Sequence, residues 1–330
     1  VIQFHRYSSP NGDADRLAAI EARKIFWGQG DIKNLPNTLP RNFFMRQEVV
    51  CCLGLEMAHK LYGITPTDYA FYQGYTTGAK EVDFGWADGS ALYQPRSSGF
   101  FSVIENIIAA GFCSWTRGRI LIIDTSYQWW DYAEPFEELF PTAFQTISSP
   151  PKDARAVEFN GARDTIFYGH LSMVHDFYHY KKEMYQRVYR DLKNFYKERH
   201  SLQGVGVMYL RGGDKLDTET ISLPIDLYKQ DMKNLARRVT KRYALSDDWA
   251  LSEQVAGDGV VNLTKKDAMG YFHKYGHKVS CKEIVKNYLT LVECHESLSC
   301  PSANLVNAAH WTKEQAPQQT YNPVYRYALI

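Results

Sequence analysis

Long apolar runs are missing from this 330-residue chain: no stretch approaches the roughly 20 consecutive apolar residues that a membrane-crossing helix needs. No leader with a basic start, an apolar middle and a small-residue cleavage site opens it. Net charge is nearly absent too. Lys+Arg 38 against Asp+Glu 37 leaves a formal +1, which removes the global electrostatic case for nucleic acid or an anionic membrane as partner. The six cysteines (Cys51, Cys52, Cys113, Cys281, Cys294, Cys300) show no CxxC or other metal-ligand spacing and favour a reduced compartment. GxGxxG, a Walker loop and GxSxG are all lacking, so the common phosphate-loop and serine-nucleophile signatures are excluded.

What is present is a soluble globular balance, 45% hydrophobic and 23% charged, over a length that suits two domains. Aromatics reach 14%, with 23 Tyr and 7 Trp. Their flat apolar faces and polar edges suit sugar stacking, although most of them must be core. The sequon Asn262-Leu263-Thr264 is too common by chance to decide a compartment.

The informative stretch is Gly204–Glu219. Val205, Val207, Tyr209 and Leu210 make a short buried strand, which stops at Arg211-Gly212-Gly213-Asp214-Lys215. Glycines there let the backbone turn and approach a ligand, and the flanking cations face whatever docks outside the strand's carboxyl end. Arg clamps a phosphate bidentately and Lys adds a second charge. Asp217 and Glu219 follow as candidate bases, and Asp247 and Asp248 end a neighbouring strand where they could orient Arg211. Without family knowledge, a Gly-rich turn with a salt bridge explains Arg211–Lys215 at least as well.

The rest of the chain reads as α/β. Helices are expected from about Asp13 to Lys24 and over Phe43–Tyr62, the latter with Met45, Val49, Leu53 and Met57 on one face and Gly63 as its stop. Residues 63–98 read as a long loop. A helix over Ser102–Phe112 leads into a strand at Arg119–Asp124. The aromatic cluster Tyr127–Ala133 just past that strand reads either as a ligand site or as an ordinary core patch. Phe167–His200 is a long helix; its His175/His179 pair lacks the Glu of HExxH, with Asp176 at that position, and reads as a solvated or core pair, and its basic run Lys181–Arg190 reads as a solvated face. Helices over Leu223 to about Thr240, Trp249–Val255, Glu283–Val292 and Ser302–Trp311 alternate with strands at Arg242–Asp248 and from Ser297. The helix at Ser302 could hold a phosphate on its free amides. The tail after Thr312 is expected to cross back toward the first domain.

Order and spacing resemble the α1,6-fucosyltransferase family, within the superfamily of the protein O-fucosyltransferases. Four segments carry the likeness, over residues 99–311, roughly two thirds of the chain. Arg119–Phe140 (RILIIDTSYQWWDYAEPFEELF) looks like the family's strand, Asn-Trp-Arg-Tyr-Ala segment and Trp-Glu-x-x-Phe turn. VGVMYLRGGDKLDTETISLPIDLYK resembles its His-x-Arg-Arg-x-Asp-Lys motif with the Thr-Glu and Pro-Ile-x-x-Tyr that follow. Tyr243–Asp248 looks like its Tyr-Leu-Ala-Thr-Asp-Asp strand end, and Leu298–Ala309 like its Cys-Thr-Phe-Ser-Ser segment.

The resemblance implies an α/β protein of GT-B form: two Rossmann-like domains facing a cleft, with a helical N-terminal extension. Residues 1–200 would be the acceptor side, and 201–330 the nucleotide-sugar domain. It implies metal-independent, inverting transfer with no cofactor, from a nucleotide sugar to a glycan or glycoprotein. Arg211 falls on the Arg that holds the donor β-phosphate, Glu219 on the catalytic base and Lys215 on the Lys that assists it. Tyr132 falls near the donor phosphate and Ser302 on a donor-binding serine. Departures fall at Tyr209 (the motif His), Gly212 (the second Arg), Asn287 (the guanine-reading Asp) and Ala303 (the second serine). They leave the base open: Asp accepts from the guanine N1–H and amino donors, whereas Asn offers one donor and one acceptor. GDP-fucose is the first expectation, with another GDP- or UDP-sugar, such as a xylose donor, behind it. A glycan or nucleotide-sugar receptor and a structural domain of a larger enzyme are the rival readings. The expected compartment is left open between the cytoplasm and, if an upstream anchor has been removed, the Golgi lumen.

Overall fold

The computed structural model describes residues 12–26, 28–41, 43–65, 68–69, 90–95, 99–115, 118–150, 171–197, 202–212, 224–266, 280–299 and 304–313. Among them the strands are β1 (Ser90–Tyr93), β2 (Ile120–Asp124), β3 (Gln145–Ile147), β4 (Leu202–Leu210), β5 (Lys241–Ser246), β6 (Val260–Asn262) and β7 (Cys294–Ser299). The helices used below are α1 (Gly12–Phe26), α2 (Phe43–Tyr62), α3 (Phe100–Trp115), α4 (Phe136–Leu139), α5 (Leu171–Tyr196), α6 (Ile225–Leu235), α7 (Trp249–Val255), α8 (Lys282–Glu293) and α9 (Asn304–Thr312).

Two parallel sheets result, consistent with two Rossmann-like units. One has three strands in the order β1-β2-β3; the other has four, in the order β6-β5-β4-β7. The second order steps outward through β4, β5 and β6, then returns to place β7 on the far side of β4. That reversal is a topological switch point, and open α/β sheets bind ligands outside the carboxyl ends of the strands that flank it. β4 supplies the burial such a centre requires. Val205, Val207 and Tyr209 pack into one apolar cluster, whereas Met208 and Leu210 pack into another with α6 and α7. A strand covered on both faces reads as a continuous apolar run.

Three strands fall where the sequence suggested none. β1 lies inside the expected loop 63–98, and β3 and β6 are three residues each. Pieces this short complete too few alternations to be seen. β7 starts three residues earlier than expected, because its polar Glu296 is buried against Arg238 (3.3 Å) instead of marking a loop. α2 is broken at Gly54, whose φ of 78° a side chain would strain, so its expected face is not one straight stripe. Lys181, expected on a solvated face, is 1% exposed: it ion-pairs with Glu105 and lies over the Trp311 ring at 4.7 Å.

Packing joins the two units. Phe101 of α3 meets Tyr288 of α8 at 4.7 Å between ring centroids, and the Tyr288 hydroxyl lies 2.5 Å from Thr312 Oγ1. α9 packs on α3 and α5, the helices of the first unit. Arg23 of α1 reaches Asp231 of α6 (2.8 Å) and Glu48 of α2 (3.4 Å), all three side chains buried. The tail expected to cross back beyond residue 313 lies outside the described residues. No helix among them is long and apolar enough to cross a membrane.

Candidate functional site

Arg211 and Gly212 leave the carboxyl end of β4, at the switch point. The register of β4 with its neighbours sets Leu210 against Ser246 and Tyr209 against Ser299. The chain exits after β4 and β5 at this edge are therefore Arg211 and Asp247. Arg211 donates from Nη1 to Asp247 Oδ2, and the Gly212 amide donates to Asp247 Oδ1 (2.7 Å). The Arg211 side chain is 24% exposed and that of Asp247 5%, so a buried carboxylate anchors a guanidinium that reaches the surface. Burial pushes the Asp247 carboxyl above the usual range; the Arg211 guanidinium and the Gly212 amide pull it partly back.

Asp248 has a different task. Its carboxylate caps α7, accepting from Ala250 N (2.9 Å) and Leu251 N (3.3 Å), while its own amide donates to Ser246 Oγ (2.9 Å). Of the two acids, Asp247 orients Arg211. The cap also explains the glycine at 212, since a Cβ there would stand 2.6 Å from Asp248 Cβ and 3.2 Å from Asp247 Oδ1. The family's second Arg has no room at this strand end. Gly212→Ala is expected to cost about 2 kcal/mol of stability through overpacking, read by urea denaturation. An unchanged midpoint would mean that the β4 and β5 ends separate freely.

Tyr209 and Tyr132, expected near the donor, are both buried. Tyr209 is 3% exposed and packs in the core shared by both units. Tyr132 is 1% exposed, and its hydroxyl accepts from the Phe100 amide (2.8 Å) at the start of α3. It sits among Phe100 and Trp130 as a framework residue. Asn287 is half-buried midway along α8. Lys215, Asp217, Glu219, Ser302 and Ala303 lie outside the described residues.

A link that sequence reasoning missed runs from the first sheet to α8. Glu134 accepts from Ser280 Oγ (2.5 Å) and from the Cys281 amide (2.9 Å). Since α8 precedes β7 in a parallel sheet, its start lies on that sheet's carboxyl side. The loop after β2 leaves the carboxyl side of its own sheet, so Glu134 ties the two carboxyl edges together. Burial raises the Glu134 carboxyl, but those hydrogen bonds outweigh it and leave the pKa below the usual value. Burial pushes the neighbouring Cys281 thiol up to about 12, away from the reactive thiolate form. Four described cysteines, Cys51, Cys52, Cys281 and Cys294, are buried free thiols.

Two cavities adjoin β2. The larger, about 480 Å³, includes Trp115, Arg119 and Ile120 and so opens at the amino end of the strand, away from the carboxyl edge at which open α/β sheets bind ligands. The smaller, about 320 Å³, lies at the carboxyl end among Tyr127, Trp129 and Trp130. Among the described residues no three His, Cys, Asp or Glu side chains converge as metal ligands. No protein-family model matches this chain, and no curated protein matches it.

Proposed function

We propose that this protein is an inverting glycosyltransferase of GT-B form that needs no metal, with the second sheet holding the nucleotide sugar. The observation that carries the reading is Arg211, oriented by buried Asp247 at the topological switch point of a β6-β5-β4-β7 sheet. In this reading Arg211 and Lys215 neutralise the diphosphate as the glycosidic bond breaks, when negative charge grows on the leaving group. Glu219 takes the proton of the acceptor hydroxyl, and attack on the opposite face of the sugar inverts the anomeric carbon. The Glu134 bridge between the two carboxyl edges supports a cleft with the acceptor on one side and the donor on the other.

Fucose from GDP-fucose remains the first donor, with a UDP-sugar such as UDP-xylose second. Burial of Tyr209 favours keeping that second donor, because the family's base-reading His has no accessible counterpart here. Transferases of this kind hydrolyse their donor slowly when no acceptor is present, which a receptor does not. Incubation with GDP-fucose or UDP-xylose in EDTA is expected to release nucleoside diphosphate with one of the two. A folded protein that binds a nucleotide sugar yet never cleaves it would favour the receptor.

A further inference from the structure

We propose that the cavity at the amino end of β2, between α3 and α5, binds a planar aromatic ring that carries one carboxylate. Its first wall is the end of α3. The Gly118 amide donates to Trp115 O (2.9 Å) and the Arg119 amide to Ser114 O (2.9 Å), with Gly118 at a φ of 67°. That pair of bonds closes a helix on a left-handed glycine, and here it fixes Trp115 and Arg119 relative to each other at the cavity. Buried Phe112 backs the indole at 5.6 Å between ring centroids, with the planes 30° apart, and Tyr180 of α5 stands at 6.2 Å. Trp115 is nonetheless 55% exposed, and Ile120 of the same cavity is 56% exposed. The fold leaves this aromatic and aliphatic surface uncovered, which marks it for a ligand.

Chemistry selects the occupant. Ile107, Ile123, Ala143 and Met184 line the interior and are all buried, so the deep part favours a ring without polar atoms. Trp115 and Tyr180 offer that ring offset stacking. The polar side is mostly α5, where His179, Glu183 and Arg187 follow one another at intervals of four and share a helix face. With Arg119, two guanidiniums meet one carboxylate among the described lining residues. Glu183 does not hold Arg187 firmly: their side chains are 60% and 43% exposed, and a pair so open to water contributes little. An arriving carboxylate can therefore take the Arg187 fork bidentately while Glu183 returns to solvent. The volume, about 480 Å³, lies within the range of small-molecule sites and has room for two fused rings with their acid group.

The site stands apart from Arg211 and does not rest on the transferase reading. The test is calorimetric titration of the full chain with 2-naphthoate, beside 2-naphthylmethylamine (the ring with the opposite charge) and hexanoate (the charge without the ring). Saturable binding of 2-naphthoate is expected, with the other two at least about tenfold weaker. Trp115→Ser and Arg187→Gln should each weaken it by about tenfold, and Arg211→Ala should leave it unchanged. Both cavity side chains are more than two-fifths exposed, so their loss does not threaten the fold. Absence of saturable naphthoate binding, equal binding of the amine or of hexanoate, or wild-type affinity in both cavity variants would overturn the proposal. So would loss of naphthoate binding in Arg211→Ala, which would place the anion at the second sheet instead.

Discussion

Glu219→Gln is expected to reduce sugar transfer by about a hundred- to ten-thousand-fold while leaving nucleotide affinity unchanged. The reason lies in what each part contributes. A carboxylate removing the acceptor proton acts only as the new bond forms, so its loss lowers turnover and leaves donor binding as it was. Gln keeps the size and loses the basicity. Arg211 differs, because charge on the diphosphate exists in the ground state and grows in the transition state; Arg211→Ala should weaken both binding and turnover. Single-turnover kinetics beside a binding titration separate the two patterns. Full activity in Glu219→Gln would remove it as the base and leave Asp217 as the next acid in sequence.

The second large effect concerns stability. Glu105→Ala is expected to destabilise the protein by about 3 kcal/mol, because it removes the carboxylate facing a buried ammonium. Lys181 is 1% exposed and pairs with Glu105, which also accepts from the Tyr185 hydroxyl, and the ammonium lies over Trp311 of α9. Burial lowers the Lys181 pKa despite the opposing pull of Glu105. Loss of that carboxylate should therefore loosen α9 from α3 and α5, a joint between the two units. Replacing both partners by apolar residues, Glu105→Leu with Lys181→Met, should recover most of the loss. Urea denaturation of the single and double variants measures this. An equal loss in both would show that the pair itself, rather than an uncompensated charge, sets the stability.

The sequence was most legible where local signals agree with tertiary ones. Trp249–Val255 is a helix over the expected bounds because Asp248 caps it, and β4 is a strand because its residues are buried on both faces. Arg211 was found through its place after that strand, and Asp247 as its partner through a neighbouring strand end. What stayed hidden depends on distant partners. Glu296 sits inside β7 only because Arg238 meets it, and Lys181 leaves solvent only because Glu105 and Trp311 receive it. No local pattern announces the bridge from Glu134 to Ser280, 146 positions along the chain. Tyr132 and Tyr209 stand at motif positions and are buried. Matching a motif position says which residue stands there, not whether its ring faces a cleft or the core.

The most direct test is calorimetric titration of the folded chain with GDP, UDP and ADP in EDTA, for wild type and Arg211→Ala. The expected result is saturable binding of GDP or UDP in the wild type, with affinity reduced at least about tenfold in the variant by loss of the phosphate clamp. Equal affinity in both proteins, or binding of none of the three nucleotides, would contradict a donor site at the end of β4.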